Sequence, residues 1–303
     1  MGDRLSWWRM AVQMRGSVVQ TVLPRSMICG LFAGWVVILS KNGMQMVPPL
    51  KDNIIPSIVL GLLLVFRTNT AYDRFWEGRK CWGAISGGTR NLARRILVSV
   101  DERSIEDRDH KVRSIRLLVA LSFVTKHHLR NDPLCDEVRS LVGDDRWMQL
   151  GRGSNVPLEI AFWVGHYLQE QYREDRLTIH ELVGMMAILD NIMTAVGGCE
   201  RILKTPMPLA YAIHLKQLLL IYCLFLPFQT VRDLDWFAIP VVVVVSFTLL
   251  GIEEIGLEIE NPFGTDRNDL PLDAICKAVR SSAEDIMQLQ WRADDRSDRN
   301  LLG

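Results

Sequence analysis

Asn53-Ile54-Ile55-Pro56-Ser57-Ile58-Val59-Leu60-Gly61-Leu62-Leu63-Leu64-Val65-Phe66 runs without a charge after Asp52. It then meets Arg67-Thr68-Asn69-Thr70-Ala71-Tyr72-Asp73-Arg74-Phe75-Trp76-Glu77-Gly78-Arg79-Lys80-Cys81-Trp82-Gly83, dense in charges and aromatic rings. An apolar helix therefore emerges directly into a polar collar. By itself the apolar part is short. A span across a hydrocarbon core of about 30 Å takes about 20 residues, and runs of about 10–14 are more often buried core helices. The rest of the chain has to decide between a membrane and a soluble core.

Three further uncharged apolar stretches lie at residues 26–40, 217–231 and 236–252. The first extends upstream through 18–23 past Pro24 and Arg25, and the last is centred on Val241–Val245. The four fall into two pairs joined by short links, residues 41–52 and 232–235. Each short link makes its pair an antiparallel hairpin, so the remaining mass falls on one side of a bilayer. From residue 67 to residue 130 the chain carries 14 Lys and Arg against 7 Asp and Glu. An excess of Lys and Arg beside span ends marks the cytoplasmic side. Trp35 and Trp236 lie near the expected span ends, where amphipathic rings favour the interface. The competing soluble reading does not account for this pairing and charge asymmetry.

The expected fold is an all-α membrane protein with four transmembrane helices in two hairpins flanking a cytoplasmic helical domain. Residues 1–72 hold an N-terminal amphipathic segment, with apolar residues from Trp7 to Val18 at helical spacing, and the first hairpin. Residues 73–212 form the cytoplasmic domain, 213–257 the second hairpin and 258–303 a cytoplasmic C-terminal segment. Within the middle domain, helices are expected from Tyr72 on as a continuation of the second span to about Ser99, then at 112–129, 157–172 and 179–203. A short helix follows Pro133, and 151–157 is a loop. Thr178 with Glu181 reads as a capping box, and Glu77 with Lys80 as an i,i+3 pair. The Arg- and Asp-rich tail 292–303 has little to bury and reads as mobile or draped on a neighbour.

Composition narrows the function. The formal net charge is zero, which does not indicate a nucleic-acid binder. The six cysteines include no C-x-x-C pair and no zinc-ligand spacing. Neither a P-loop nor an H-E-x-x-H motif occurs. His127, His128, His166 and His180 read as surface or core histidines. No catalytic residue, metal site or cofactor is expected. Arg90, Arg94 and Arg95 are either a solvated basic face or a positive field that draws anions inward.

The stretch from Arg67 to Gly83 resembles the signature of the bestrophin family, with Arg67, Asn69, Tyr72, Arg74, Glu77, Arg79 and Trp82 in matching places. So does Glu260-Asn261-Pro262-Phe263-Gly264-Thr265-Asp266-Arg267-Asn268-Asp269-Leu270-Pro271-Leu272-Asp273. The resemblance covers nearly the whole chain. It implies a homopentamer in membrane lipid, with inorganic ions passing one axial pore lined by the second span. It implies an apolar neck at Ile55, Val59 and Leu63, or in the adjacent register at Ile58, Leu62 and Phe66. A second, cytoplasmic constriction is implied near residues 202–208, with Thr205 and Met207 as its candidates. The expected ions are anions, chloride and also bicarbonate or nitrate. A cation-selective channel and a non-channel scaffold are the alternatives. The membrane would be a bacterial inner membrane or a thylakoid. In calcium-gated animal members an acidic run follows the Asn-Pro-Phe-Gly motif. Here Arg267 and Asn268 interrupt Asp266 and Asp269, which argues against a site needing about 6–8 oxygen ligands.

Overall fold

The computed structural model describes residues 13–14, 16–43, 55–151 and 155–301, with side chains through Gln290. The described residues form helices and connecting turns, with no strand among them. Most of the expected N-terminal helix, the 41–52 link beyond Gly43 and part of the 151–157 loop lie outside the described residues; residues 13–14 and 16–18 of that expected helix are described and are not helical. The chain divides into two units. One comprises Met1–Phe75 with Pro206–Asp269, and the other Trp76–Thr205 with Leu270–Gly303.

The first unit contains α1 (Val19–Lys41), the start of α2 (Ile55–Ser99), α8 (Leu209–Leu234) and α9 (Ala238–Glu258). In α1 the buried positions Val22, Ser26, Gly30, Ala33 and Val37 follow helical spacing, so one stripe faces protein. Gly30 sits where a Cβ would collide with Val243, so α1 and α9 approach closely. Three clusters hold the unit together. Val36 and Val37 meet Val231 and Ala238, Ala33 meets Leu226 and Val242, and Leu60 and Leu64 meet Leu215 and Leu219. The α8–α9 link is a single 3-10 turn, Asp235–Phe237. Lys41 pairs with Asp235 at 3.0 Å and lies over the Trp236 ring.

The sequence expectation of a helix running on from the second span is met. α2 is one helix of 45 residues from Ile55 to Ser99. Pro24 and Pro227, which could have ended their helices, lie inside α1 and α8.

The second unit contains the rest of α2 with α3 (Ile105–Arg130), α4 (Asp136–Val142), α5 (Asp144–Trp147), α6 (Val156–Arg173), α7 (Ile179–Lys204) and α10 (Leu272–Leu301). α3 is its centre. Ile115 and the run from Leu117 to Leu121 are all buried, together with Phe123 and Val124. A helix apolar on every side belongs inside a core. α3 starts at Ile105 rather than near 112, because Ser104 and Asp107 form a capping box. Thr178 and Glu181 form the expected one at the head of α7. Lys80 and Glu77 pair at 3.5 Å. Lys111 enters the core with its ammonium 2.6 Å from Glu102 and 3.2 Å from the Leu97 carbonyl.

Two features depart from the sequence reading. The tail 292–303, expected to be mobile or draped on a neighbour, continues α10 as helix to Leu301. And α7 joins α1, α2 and the α8–α9 stretch as a segment long and apolar enough to cross a membrane. In α7 those apolar residues pack inside the second unit, where Leu182, Met185, Leu189, Ile192, Val196 and Cys199 are buried.

Candidate functional site: the second helix and its buried arginine

The first half of α2 carries two faces. Leu60, Leu64, Arg67 and Ala71 point inward. At spacings of four, three and four residues they form one stripe. The opposite stripe is exposed. Ile58, Leu62 and Phe66 are 60%, 54% and 56% exposed. The stripe continues into exposed Asn69 and Asp73. It changes from apolar to polar directly after Phe66.

The other register fares differently. Ile55 and Val59 are exposed, but Leu63 is partly buried against the Leu60–Leu64–Leu215–Leu219 cluster. The Tyr211 hydroxyl also donates to the Leu63 carbonyl at 2.9 Å.

The signature residues separate by role. Asn69, Tyr72 and Arg79 are exposed, Arg74 and Glu77 are half-buried, and Trp82 is fully buried in the second unit. Arg67 is the exception among the charges, only 1% exposed. Its Nε, Nη1 and Nη2 are all buried and have no hydrogen-bond partner among the described residues. Two carboxylates stand just beyond hydrogen-bonding range. Glu253 of α9 lies 3.9 Å from Nη1, and Glu260 lies 3.7 Å from Nη2. Glu253 is itself only 3% exposed. The arginine stem lies over Gly256, where a Cβ would come within 3.4 Å of Nε.

Glu260 serves other groups as well. Its Oε1 accepts the Met207 backbone N–H at 3.2 Å, and its carbonyl accepts Arg74 Nε at 3.2 Å. So one residue of the second motif touches the segment suspected of a constriction and the helix suspected of the neck. Thr205, the other constriction candidate, is exposed and donates its hydroxyl to the Arg201 carbonyl. Sequence reasoning missed Glu253. Its signal was an acidic pair, Glu253-Glu254, at the end of an otherwise uncharged run. Ionisable groups inside spans are expensive and usually have a partner. Glu254 pairs with Arg25 of α1 at 2.9 Å.

The turn after the second motif uses its acidic residues internally. Asp269 accepts the Asp266 N–H at 2.7 Å. Asn268 donates to Glu258 at 2.6 Å and to the Gly16 carbonyl at 3.4 Å. Gly16 has φ +80° and lies against the Arg267 side chain. Arg267 and the Asn268 amide of this turn are thus directed at Gly16 and Glu258. No group of three or more His, Cys, Asp or Glu positioned to hold a metal occurs among the described residues.

In the second unit, Arg90 donates to Ser282 at 3.2 Å, the Arg95 guanidinium lies against Gly184, and Arg94 and Arg95 are both exposed. His128 contacts Glu200 at 2.9 Å, and His166 contacts Glu170 at 3.3 Å. His127 is buried, and burial, helped by the neighbouring Lys126 charge, pushes its imidazole below the ordinary range. His180 is exposed.

A chain whose described residues are helical, with several apolar helices long enough to cross a membrane and an exposed apolar face on the second, has the build of an integral membrane protein. The sequence matches the family model for Bacterial/Fungal Bestrophin protein over residues 1–285, and the chain belongs to the bestrophin family. It is 53% identical over 283 residues to a voltage-dependent anion channel-forming protein of Nostoc sp., covering 93% of this chain and 92% of that protein. A protein of the same description from Synechocystis sp. is 47% identical, with the same coverage. Among solved structures, a variant of the bacterial bestrophin homologue from Klebsiella pneumoniae superimposes with a TM-score of 0.81. It is 28% identical and covers 88% of this chain and 98% of that one.

Proposed function

We propose that this chain is the subunit of an anion channel, five copies of which surround one axial pore lined by α2. The observation that carries the reading is the exposed stripe of α2, apolar from Ile58 to Phe66 and polar from Asn69 onward. A lone helix in lipid gains nothing from such a change of character. A helix lining a pore does, because the apolar part is a neck and the polar part a wet vestibule. A narrow apolar ring gates by dewetting. Burial of Leu63 favours Ile58, Leu62 and Phe66 over Ile55, Val59 and Leu63 as the neck-facing register. Conduction of this kind requires no covalent chemistry.

The anion assignment is supported by the names of the Nostoc and Synechocystis relatives. In the vestibule, exposed Arg79 and Arg94 supply positive charge. We read the segment from 73 to 212 as cytoplasmic because Lys and Arg outnumber Asp and Glu over residues 67–130, next to the end of the second span, and the membrane as a bacterial inner membrane or a thylakoid. Met207 belongs to a second constriction, with its backbone fixed by Glu260.

The deciding experiment is the reversal potential of purified protein in a planar bilayer under asymmetric KCl. A value near the chloride Nernst potential supports the reading. A value near the potassium potential keeps the channel and overturns anion selectivity, directing attention to Asp73 and Glu77. Release of the protein by a carbonate wash would reject a membrane channel altogether in favour of a scaffold.

A further inference from the structure

Arg67 is an unusual residue to find locked in a membrane-embedded unit without a hydrogen bond. A buried guanidinium ordinarily makes short, often bidentate bonds to a carboxylate. Here the fork lies between two carboxylates and bonds to neither. The distances of 3.9 Å to Glu253 and 3.7 Å to Glu260 are nearly equal. Nη1 faces Glu253 and Nη2 faces Glu260, and each gap closes with a shift of about 1 Å. Gly256 lies beside the stem, since a Cβ added there would come 3.4 Å from Nε, 3.6 Å from Cδ and 3.7 Å from Cγ. Leaving such a charge between partners is costly in a low-dielectric site, so the arrangement favours a full pair with one side or the other.

The two partners belong to different structures. Glu253 is on α9, within the span. Glu260 lies beyond the end of α9 and also holds the Met207 N–H. Arg67 follows Phe66 directly, and helical geometry points the two side chains about 100° apart. The direction in which Arg67 is pulled therefore sets the rotation of the stripe bearing Ile58, Leu62 and Phe66.

We propose that Arg67 is a positioning residue for conduction, a two-position latch that pairs alternately with Glu253 and Glu260 and thereby sets how far the neck face of α2 turns toward the pore. The latch rests on the channel reading given above. It joins the neck to the Met207 segment through a single residue, because pairing with Glu260 engages the same carboxylate that fixes Met207. It also explains why the guanidinium is buried while the neighbouring signature residues Asn69 and Arg79 are exposed.

The test is single-channel recording of the full-length protein in planar bilayers, comparing Glu253→Gln, Glu260→Gln and Arg67→Lys with the wild type. Each glutamine leaves Arg67 one charged partner. The two variants are expected to shift open probability in opposite directions, each by about fivefold or more, the lower range of ordinary coupling between sites. Arg67→Lys keeps the charge but loses the fork, and should abolish the difference between the two glutamine backgrounds. Gel filtration in detergent confirms assembly of each variant. Where a glutamine variant does not assemble, the corresponding Glu→Asp, which keeps the charge but shortens the reach, is used with the same expected sign. Shifts in the same direction, or open probabilities equal to wild type, overturn the latch. Wild-type oligomers that carry no current count instead against the channel reading and remove the latch with it.

Discussion

Gly88 offers a quantitative test of the packing that supports α2 in the second unit. A Cβ at this position would lie 2.5 Å from Ile192 Cγ1 and 3.1 Å from its Cδ1. Ordinary contact at a Cβ begins about 1 Å further out. Ile192 is fully buried. Its Cγ1 is one bond from the branch point, and a β-branched side chain in a helix occupies one χ1 well about 90% of the time. The clash is therefore relieved mainly by moving α7 or α2, not by a rotamer change. Gly88→Ala is expected to destabilise by about 1–3 kcal/mol, the usual cost of one extra methyl in a filled core. Ile192→Ala alone should cost about 2–5 kcal/mol through the cavity it leaves. In the double variant the new methyl enters that cavity, so the combined loss should fall short of the sum by about 1–3 kcal/mol. Each kcal/mol corresponds to roughly 2–4 °C in a unit of this size. Thermal midpoints from fluorescence-detected gel filtration of heated, detergent-solubilised protein read these differences. A Gly88→Ala midpoint equal to wild type, or strict additivity in the double variant, would refute the close approach of α2 and α7.

Three further outcomes follow from the second unit. Asp273 is held by Lys126 at 2.7 Å and by Arg130 at 3.0 Å, which bring its carboxyl down to about 2. A depressed folded value gives stability that is complete above about pH 4 and lost as pH falls through about 2. The shift alone would correspond to about 2 kcal/mol, and with the carboxylate 58% exposed, solvent screening leaves about 1 kcal/mol. Asp273→Asn should thus lower the midpoint at pH 7 by a few degrees and flatten its fall between pH 4 and pH 2. An unchanged acid limb would contradict the assignment. Thr178→Ala should cost about 1 kcal/mol by removing the cap of α7. It should also let the Glu181 carboxyl, held below its ordinary value by the Thr178 N–H and hydroxyl, rise, as followed by carboxyl NMR or by faster amide exchange in the first turn. For Lys111, replacement of the cation by an apolar side chain of similar length is expected to be nearly neutral, whereas Glu102→Ala leaves the buried ammonium without its carboxylate and should cost about 3 kcal/mol. If Lys111→Met proves the more damaging of the two in the same heating assay, the ion pair is a net stabiliser.

What the sequence discloses depends on how local the cause is. The unbroken α2 was legible because no proline interrupts residues 57–99 and the apolar run passes directly into a helical charge pattern. The Thr178–Glu181 cap was legible because both partners lie within one turn. The start of α3 carried the same kind of local signal in Ser104 and Asp107 but was read a turn or more too late. That was an error of recognition, because the polar first turns hide the apolar period. The apolar character of α7 could not be resolved by hydropathy, because a helix surrounded by protein and one surrounded by lipid present the same side chains. Arg67 lies at the edge of legibility. Leu60, Leu64, Arg67 and Ala71 share one helical stripe, so the chain does place this charge on an apolar line. What it does not disclose is that Gly256 lies beside the stem, or that Glu253 and Glu260 flank the guanidinium. Those groups lie nearly 200 residues away, and only packing of α2 against α9 brings them within 4 Å. An arginine on an apolar stripe is thus a prompt to search the remaining spans for an acidic residue, and the uncharged run 236–252 ends in one.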